Sequence, residues 1–243
     1  MFEATLAAGL IAVAASQGAS IEDLLRAADA PRRVIEEGVV RIQATLEEPE
    51  GVTTVSDLDV FVRGSENALC IFRGGPLMGR RILIAGAKTW LIVPGSRRAI
   101  PISAGQRLLG GASIADVARL WFADTYTASL RPQTETIDQT ECKVLDLEAR
   151  TRKAAYASGT LWIGADDDLP RKAVFNLASG APAREVHFTD YGRRDGKAIL
   201  ERMEIRHMLP VERGQLTTLH YVGYEDRKLD PATFDPAGAR LVP

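Results

Sequence analysis

Three histidines, two cysteines and a run of three aspartates are the residues with which this chain of 243 could do site chemistry. His187, His207 and His220 each fall inside a strand-like run and lie far apart in sequence. None belongs to an H-E-x-x-H or comparable zinc pattern, so each is read as a structural strand histidine. Asp166-Asp167-Asp168 lacks the spacing, the glycine and the closing glutamate of a calcium loop and reads as a solvated turn. Cys70 and Cys142 sit in apolar runs with no metal spacing; an exported chain could pair them, but two separate buried thiols are the expected state. There is no phosphate-binding glycine loop, no G-x-G-x-x-G and no nucleophile elbow. No catalytic residue, metal site or cofactor is predicted.

Composition narrows the partners. With 30 basic and 32 acidic side chains the formal charge is -2, so no field is available to hold a polyanion and nucleic acid is excluded as a partner. Aromatic residues make up 6% of the chain, too few for a stacking surface, and aliphatic contacts must carry the core.

Aliphatic residues recur with period two. The stretch Arg80–Ser103 reads as three short strands, Arg81–Ala85, Thr89–Val93 and Arg98–Ile102, broken by Gly86-Ala87-Lys88 and Pro94-Gly95-Ser96. Upstream, Ser20 caps a helix whose residues Ile21, Leu24, Leu25 and Ala28 share one face and which stops near Pro31. Strands follow at Gly38–Leu46, Val52–Arg63 and Leu69–Arg73; downstream they recur at Glu141–Ala149, Ser158–Ile163, Lys172–Leu177, Glu185–Tyr191, Ile199–Met208 and Leu216–Glu225. Ten or eleven strands are too many for one flat sheet, so the sheet must curl. Between the two groups, Gly105–Phe122 has helical spacing from Ser113 onward and is entered through Gly110-Gly111. It predicts a helix covering the sheet, with a glycine hinge that would let it act as a lid.

Residues 4–15 form a run of small and apolar residues, long enough for a secretory leader and too short for a membrane span. Its n-region carries an acid and no base. Residues 1–18 are therefore read as a signal peptide or an N-terminal helix, and 19–243 as one domain.

Several short motifs occur in a shared order: Lys88-Thr89-Trp90-Leu91 with Pro94, then Gln106-Arg107-Leu108 with Ser113 and Asp116, then Leu161-Trp162-Ile163 followed by Leu169-Pro170. In this order the chain resembles the outer-membrane lipoprotein-sorting proteins of the LolA/LolB-like superfamily over about three-quarters of its length. The resemblance implies a mainly β (α+β) fold: a curved antiparallel sheet forming an unclosed β-barrel, with helices over its concave face. It implies a periplasmic carrier or chaperone that binds lipoprotein acyl chains or another lipid, served by an inner-membrane transporter and an outer-membrane acceptor.

Strand parity then nominates a lining: Val40, Ile42, Leu58, Val60, Leu69, Ile71, Ile82, Ile84, Trp90, Ile92, Leu161, Ile163, Phe175 and Phe188, with Leu108, Leu109, Val117, Leu120 and Trp121 as the lid. An eight-residue strand is roughly 26 Å long, enough for an extended acyl chain. Each buried methylene is worth about 0.8 kcal/mol, so such a site needs no charged anchor. The alternative is a β-scaffold that carries nothing, filled by its own side chains and attached to an envelope transport or assembly machine.

Overall fold

The computed structural model describes residues 20–96, 98–102, 107–109, 112–113, 121–152 and 154–243. The predicted leader and most of the predicted lid helix lie outside them.

Helix α1 (Ile21–Asp29) opens the described chain where the spacing places it. Ser20 Oγ accepts from the Asp23 amide at 3.1 Å, and the Asp23 carboxylate accepts from the Ser20 amide and hydroxyl, a reciprocal capping box. Those Ser20 bonds hold the Asp23 carboxyl below the usual range. Leu24, Leu25 and Ala28 are buried.

Five strands follow: β1 (Glu37–Glu47), β2 (Thr53–Arg63), β3 (Asn67–Phe72), β4 (Arg81–Ala85) and β5 (Lys88–Ile92). After them come the stub β6 (Ile100–Pro101) and the hairpin β7 (Arg107–Leu109) and β8 (Ala112–Ser113). Helix α2 (Phe122–Thr125) leads into β9 (Tyr126–Leu130), β10 (Glu135–Ile137), β11 (Thr140–Ala149), β12 (Ser158–Gly164), β13 (Pro170–Asn176), β14 (Pro182–Arg194), β15 (Lys197–His207) and β16 (Leu216–Asp226).

Fourteen of these strands make one antiparallel sheet in the order β10-β11-β12-β13-β14-β15-β16-β1-β2-β3-β4-β5-β6, with β9 paired to β11. The first and last strands do not pair, so the barrel is not closed, as the resemblance implies. Five register shifts in the large sheet supply the curvature; the one between Arg41 and Ile42 leaves Val222 of β16 unpaired and 66% exposed.

The strand total exceeds the expected ten or eleven because β9 and β10 are short and largely exposed, and because the β7–β8 hairpin falls in the stretch read as leading into a lid helix. The hairpin is a correction: Ser113, read as a helix cap, pairs instead with Arg107. The helix expected after it, together with its Gly110-Gly111 hinge, lies outside the described residues.

The sheet has two packed faces. A large apolar cluster fills the concave side, joined by α1 and α2. On the convex side, residues 227–243 cross β3 and β4 through two 3-10 turns, Pro231–Phe234 and Gly238–Arg240. Phe234 and Ala239 pack there with Val39, Phe61, Leu69, Ile71, Leu83 and Ile92. Hydrogen bonds from Arg81 Nη1 to the Ala239 carbonyl (2.7 Å) and from Arg73 Nη2 to the Pro243 carbonyl (2.6 Å) fasten the segment. Burial on both faces explains why β3 and β4 read as unbroken apolar runs. Among the described residues, no helix is long and apolar enough to cross a membrane.

Candidate functional site: the concave face

Ten of the nominated lining residues come together on the concave face: Val40, Ile42, Leu58, Val60, Ile82, Ile84, Leu161, Ile163, Phe175 and Phe188. Leu69, Ile71 and Ile92 do not join them, and Trp90 packs with those three on the convex side beneath the C-terminal segment. The correction has a plain cause. Val60 opposes Cys70 and Leu58 opposes Phe72, so the concave parity of β3 belongs to Ala68, Cys70 and Phe72. A run apolar on both faces carries no period from which to choose. Trp90 opposes Leu83, and both belong to the outer layer.

Of the nominated lid, Leu108 and Leu109 lie in β7, with side chains outside the description. Val117 and Leu120 are outside the described residues. Trp121 is half-buried at the entry to α2, with the guanidinium groups of Arg32 and Arg33 at 5.5 Å and 5.1 Å from its ring centroid.

The concave face has two characters. Over β1–β4 it is aliphatic apart from Phe72, with small side chains at Ala44, Ala68 and Cys70. Burial pushes the Cys70 thiol up to about 12, so it stays protonated and packs as a small hydrophobe; both cysteines are free and buried. Over β9–β14 the face is filled by aromatic rings. Phe175 stacks on Phe122 (6.3 Å) and Tyr156 (5.2 Å) and lies 6.0 Å from Tyr126, while Phe122 meets Phe188 edge-on at 6.3 Å.

Polar groups bound this apolar field in two places. Beside the rings, the buried Asp29 carboxylate accepts the amides of Phe122 and Ala123, each at 2.9 Å, and pairs with Arg32 at 2.9 Å. Burial pushes the Asp29 carboxyl up, against the pull of Arg32 and the two amides. The Arg32 guanidinium also lies over Phe122 (4.9 Å) and Phe188 (5.7 Å). The end of α1 thereby fixes the point where the chain re-enters the sheet at α2. At the far end of β14–β16, Arg184 Nη1 meets Glu212 Oε2 at 2.7 Å, His207 Nε2 lies 2.9 Å from Thr217 Oγ1, and His207 Nδ1 lies 3.7 Å from Glu212. All four are buried.

The other predicted chemistry resolves as structure. His187 bonds Glu185 at 2.9 Å, and the aspartate run is tied by Asp167 to Arg171 (2.6 Å) and by Asp168 to Lys143 (2.7 Å). Among the described residues, no group of three or more His, Cys, Asp or Glu could hold a metal ion.

Sequence reasoning missed Asp29, Arg32, Arg184 and Glu212. A charged residue next to an apolar run signals a solvated face, and only the fold reveals a partner 93 or 28 residues away.

No curated protein matches the sequence. A family model described as "-like: Uncharacterized protein" matches residues 64–238, from the turn before β3 to the start of the second 3-10 turn. The chain belongs to that family, and its fold is LolA-like.

A LolA superfamily protein from Nitrosomonas europaea superposes with a TM-score of 0.80 at 24% identity, covering 89% of this chain and 97% of that one. A DUF1329 family protein from Desulfovibrio piger superposes at 0.74 with 18% identity, covering 88% and 95%. A domain from Vibrio parahaemolyticus, described as an outer membrane lipoprotein-sorting protein, superposes at 0.72 with 17% identity, covering 89% and 97%. Likeness at these identities speaks for the fold.

Proposed function

We propose that this LolA-like protein is a periplasmic carrier or chaperone that takes lipoprotein acyl chains, or another lipid, against its concave face, with an inner-membrane transporter as donor and an outer-membrane acceptor. The observation that carries the reading is the apolar concave face of an unclosed sheet, continuous from β4 round to β11. The description of the Vibrio parahaemolyticus domain supports it. Binding needs apolar area alone: a dozen buried methylenes are worth on the order of 10 kcal/mol before ordering costs. The residues proposed to meet the chain are Val40, Ile42, Leu58, Val60, Ile82 and Ile84 of the aliphatic half, and Trp121 at the entry to α2.

Native mass spectrometry of protein purified from a membrane-free extract tests this, combined with displacement of a fluorescent fatty acid. Co-purified lipid, and fatty-acid binding weakened by Trp121→Ala but not by Lys88→Ala at the exposed start of β5, support the carrier.

One observation favours a second reading. Both halves are buried within the chain: Phe175 has no exposed surface, and Ile82 and Ile84 of the aliphatic half are each 1% exposed. A scaffold that carries nothing would give a clean apo mass and no displacement.

A further inference from the structure

Part-way along its length the β14–β15 hairpin loses both neighbours. The β13–β14 ladder ends at Lys172 opposite His187, and the β15–β16 ladder begins only at Arg202 opposite His220. Beyond these rungs, residues 190–194 and 197–200 pair with each other alone among the described strands. Where the support stops, the register shifts twice in succession, leaving out Thr189 on β14 and Glu201 on β15. A bulge interrupts the ladder and bends the strand that carries it, so one on each strand puts a flexing point across the whole ribbon. What extends past it is a two-stranded arm, a form that is marginal without further packing.

A short set of separate contacts holds the arm down. The Leu200 amide donates to the Pro31 carbonyl (2.8 Å), and the Leu200 carbonyl accepts from the Tyr224 hydroxyl (2.9 Å). The Tyr191 hydroxyl donates to the Pro170 carbonyl, and Arg194 pairs with Asp226. Burial pushes both phenols up, so each remains a protonated donor. Leu200 has no exposed surface; it belongs to the concave core, against which Tyr191 and Tyr224 also pack. The seam beside the arm is already part-open: a cleft of about 490 Å³ has Lys197 and Ala198 of the arm on its lining together with Ala30 and Val34 of the α1–β1 connection. Val34 also packs against the concave core, so the cleft reaches the apolar face.

Because both halves of that face are packed, an acyl chain reaches it only where the structure parts. Separating paired strands breaks a ladder, whereas moving the arm away from β16 breaks none. It withdraws Leu200 from the core and leaves apolar space that a methylene chain can fill. We infer that residues 190–201 form a flap hinged at the paired bulges, and that its swing away from β16 admits an acyl chain to the concave face. The second half rests on the lipid-binding reading above.

The full chain carrying Arg194→Cys with Asp226→Cys is bridged by a short bifunctional methanethiosulfonate that dithiothreitol removes; the native thiols, Cys70 and Cys142, are buried. Uptake of a fluorescent fatty acid is followed by stopped flow before bridging, after it and after reduction. Backbone hydrogen exchange of wild type and of Tyr224→Phe, which loses the bond to Leu200, is read by mass spectrometry. Bridging is expected to slow uptake about tenfold and reduction to restore it. In wild type, residues 190–201 exchange faster than 202–207, and Tyr224→Phe speeds both that exchange and uptake while leaving 202–207 unchanged. Equal exchange of the two segments in wild type, a measurement that needs no variant, overturns the flap. Unchanged uptake in the bridged protein, or faster exchange in Tyr224→Phe without faster uptake, overturns the entry route and leaves the carrier intact. No uptake by wild type removes the entry route together with the carrier reading.

Discussion

Asp29 ties the end of α1 to the start of α2. Its carboxylate satisfies two buried amides at the start of α2 and one buried guanidinium, so its removal leaves three donors without an acceptor. Breaking a buried pair by removing one partner costs about 3–5 kcal/mol. Asp29→Ala is expected to lower the urea unfolding free energy by that amount, and Asp29→Asn, which keeps one acceptor oxygen, by less. Asp146 works under the opposite electrostatic sign. Hydrogen bonds from Arg131 (2.9 and 2.6 Å), aided by Thr160, hold its carboxyl below the usual range. A depressed folded-state pKa contributes stability that is present above the unfolded value of about 3.9 and lost as pH falls through the folded one. Asp146→Asn should therefore flatten the acid limb of a stability-versus-pH curve below about pH 4 and leave its shape above pH 5 unchanged. Neither role is visible in sequence. Asp29 follows an amphipathic helix as an ordinary C-terminal acid would, and Asp146 sits at a polar position of an alternating strand.

At the scale of elements, α1 was fully legible. A serine cap, acids in the first turn and apolar residues at i, i+3, i+4 and i+7 are local signals, and a helix of nine residues needs little else to place it. Its stability comes from packing, since an isolated helix of this length is marginal in water. Leu25 has no exposed surface. Leu25→Ala is expected to cost about 2–5 kcal/mol by chemical denaturation. The long strands β1, β2, β11, β15 and β16 were legible for the same reason: one buried and one wet face print a period of two. Strands β3 and β4 were legible as strands, yet their inward face was not. The convex cover of Phe234 and Ala239 removes the polar alternation that would have named it. Strand β9 escaped because Tyr126–Leu130 is an edge element with exposed alternate residues, paired only with β11.

The whole molecule poses one question, whether the concave face holds a ligand or only itself. Phe175 touches three other rings and has no exposed surface, so Phe175→Ala opens a void where the aromatic half is now full. The substitution is expected to cost about 3–5 kcal/mol. In the carrier, fluorescent fatty acid binds wild type and variant alike, because the aliphatic half does the binding. In the scaffold, only the variant gains binding, since an engineered apolar cavity accepts an apolar guest. Fluorescence titration of the two proteins separates these outcomes.

The sequence by itself determined the elements and the class. Turn residues at short intervals and period-two runs demand antiparallel pairing, and so many strands demand a curled sheet. Ordered motifs such as Lys88-Thr89-Trp90-Leu91 and Leu161-Trp162-Ile163 pointed to the LolA-like form that the structure shows. Only the tertiary structure decided which side of β3, β4 and β5 is inner, where β15 leaves β16, and which charges are buried. Period and propensity are local, whereas sidedness depends on what covers each face. Here the C-terminal segment, more than a hundred residues beyond those strands, makes that choice.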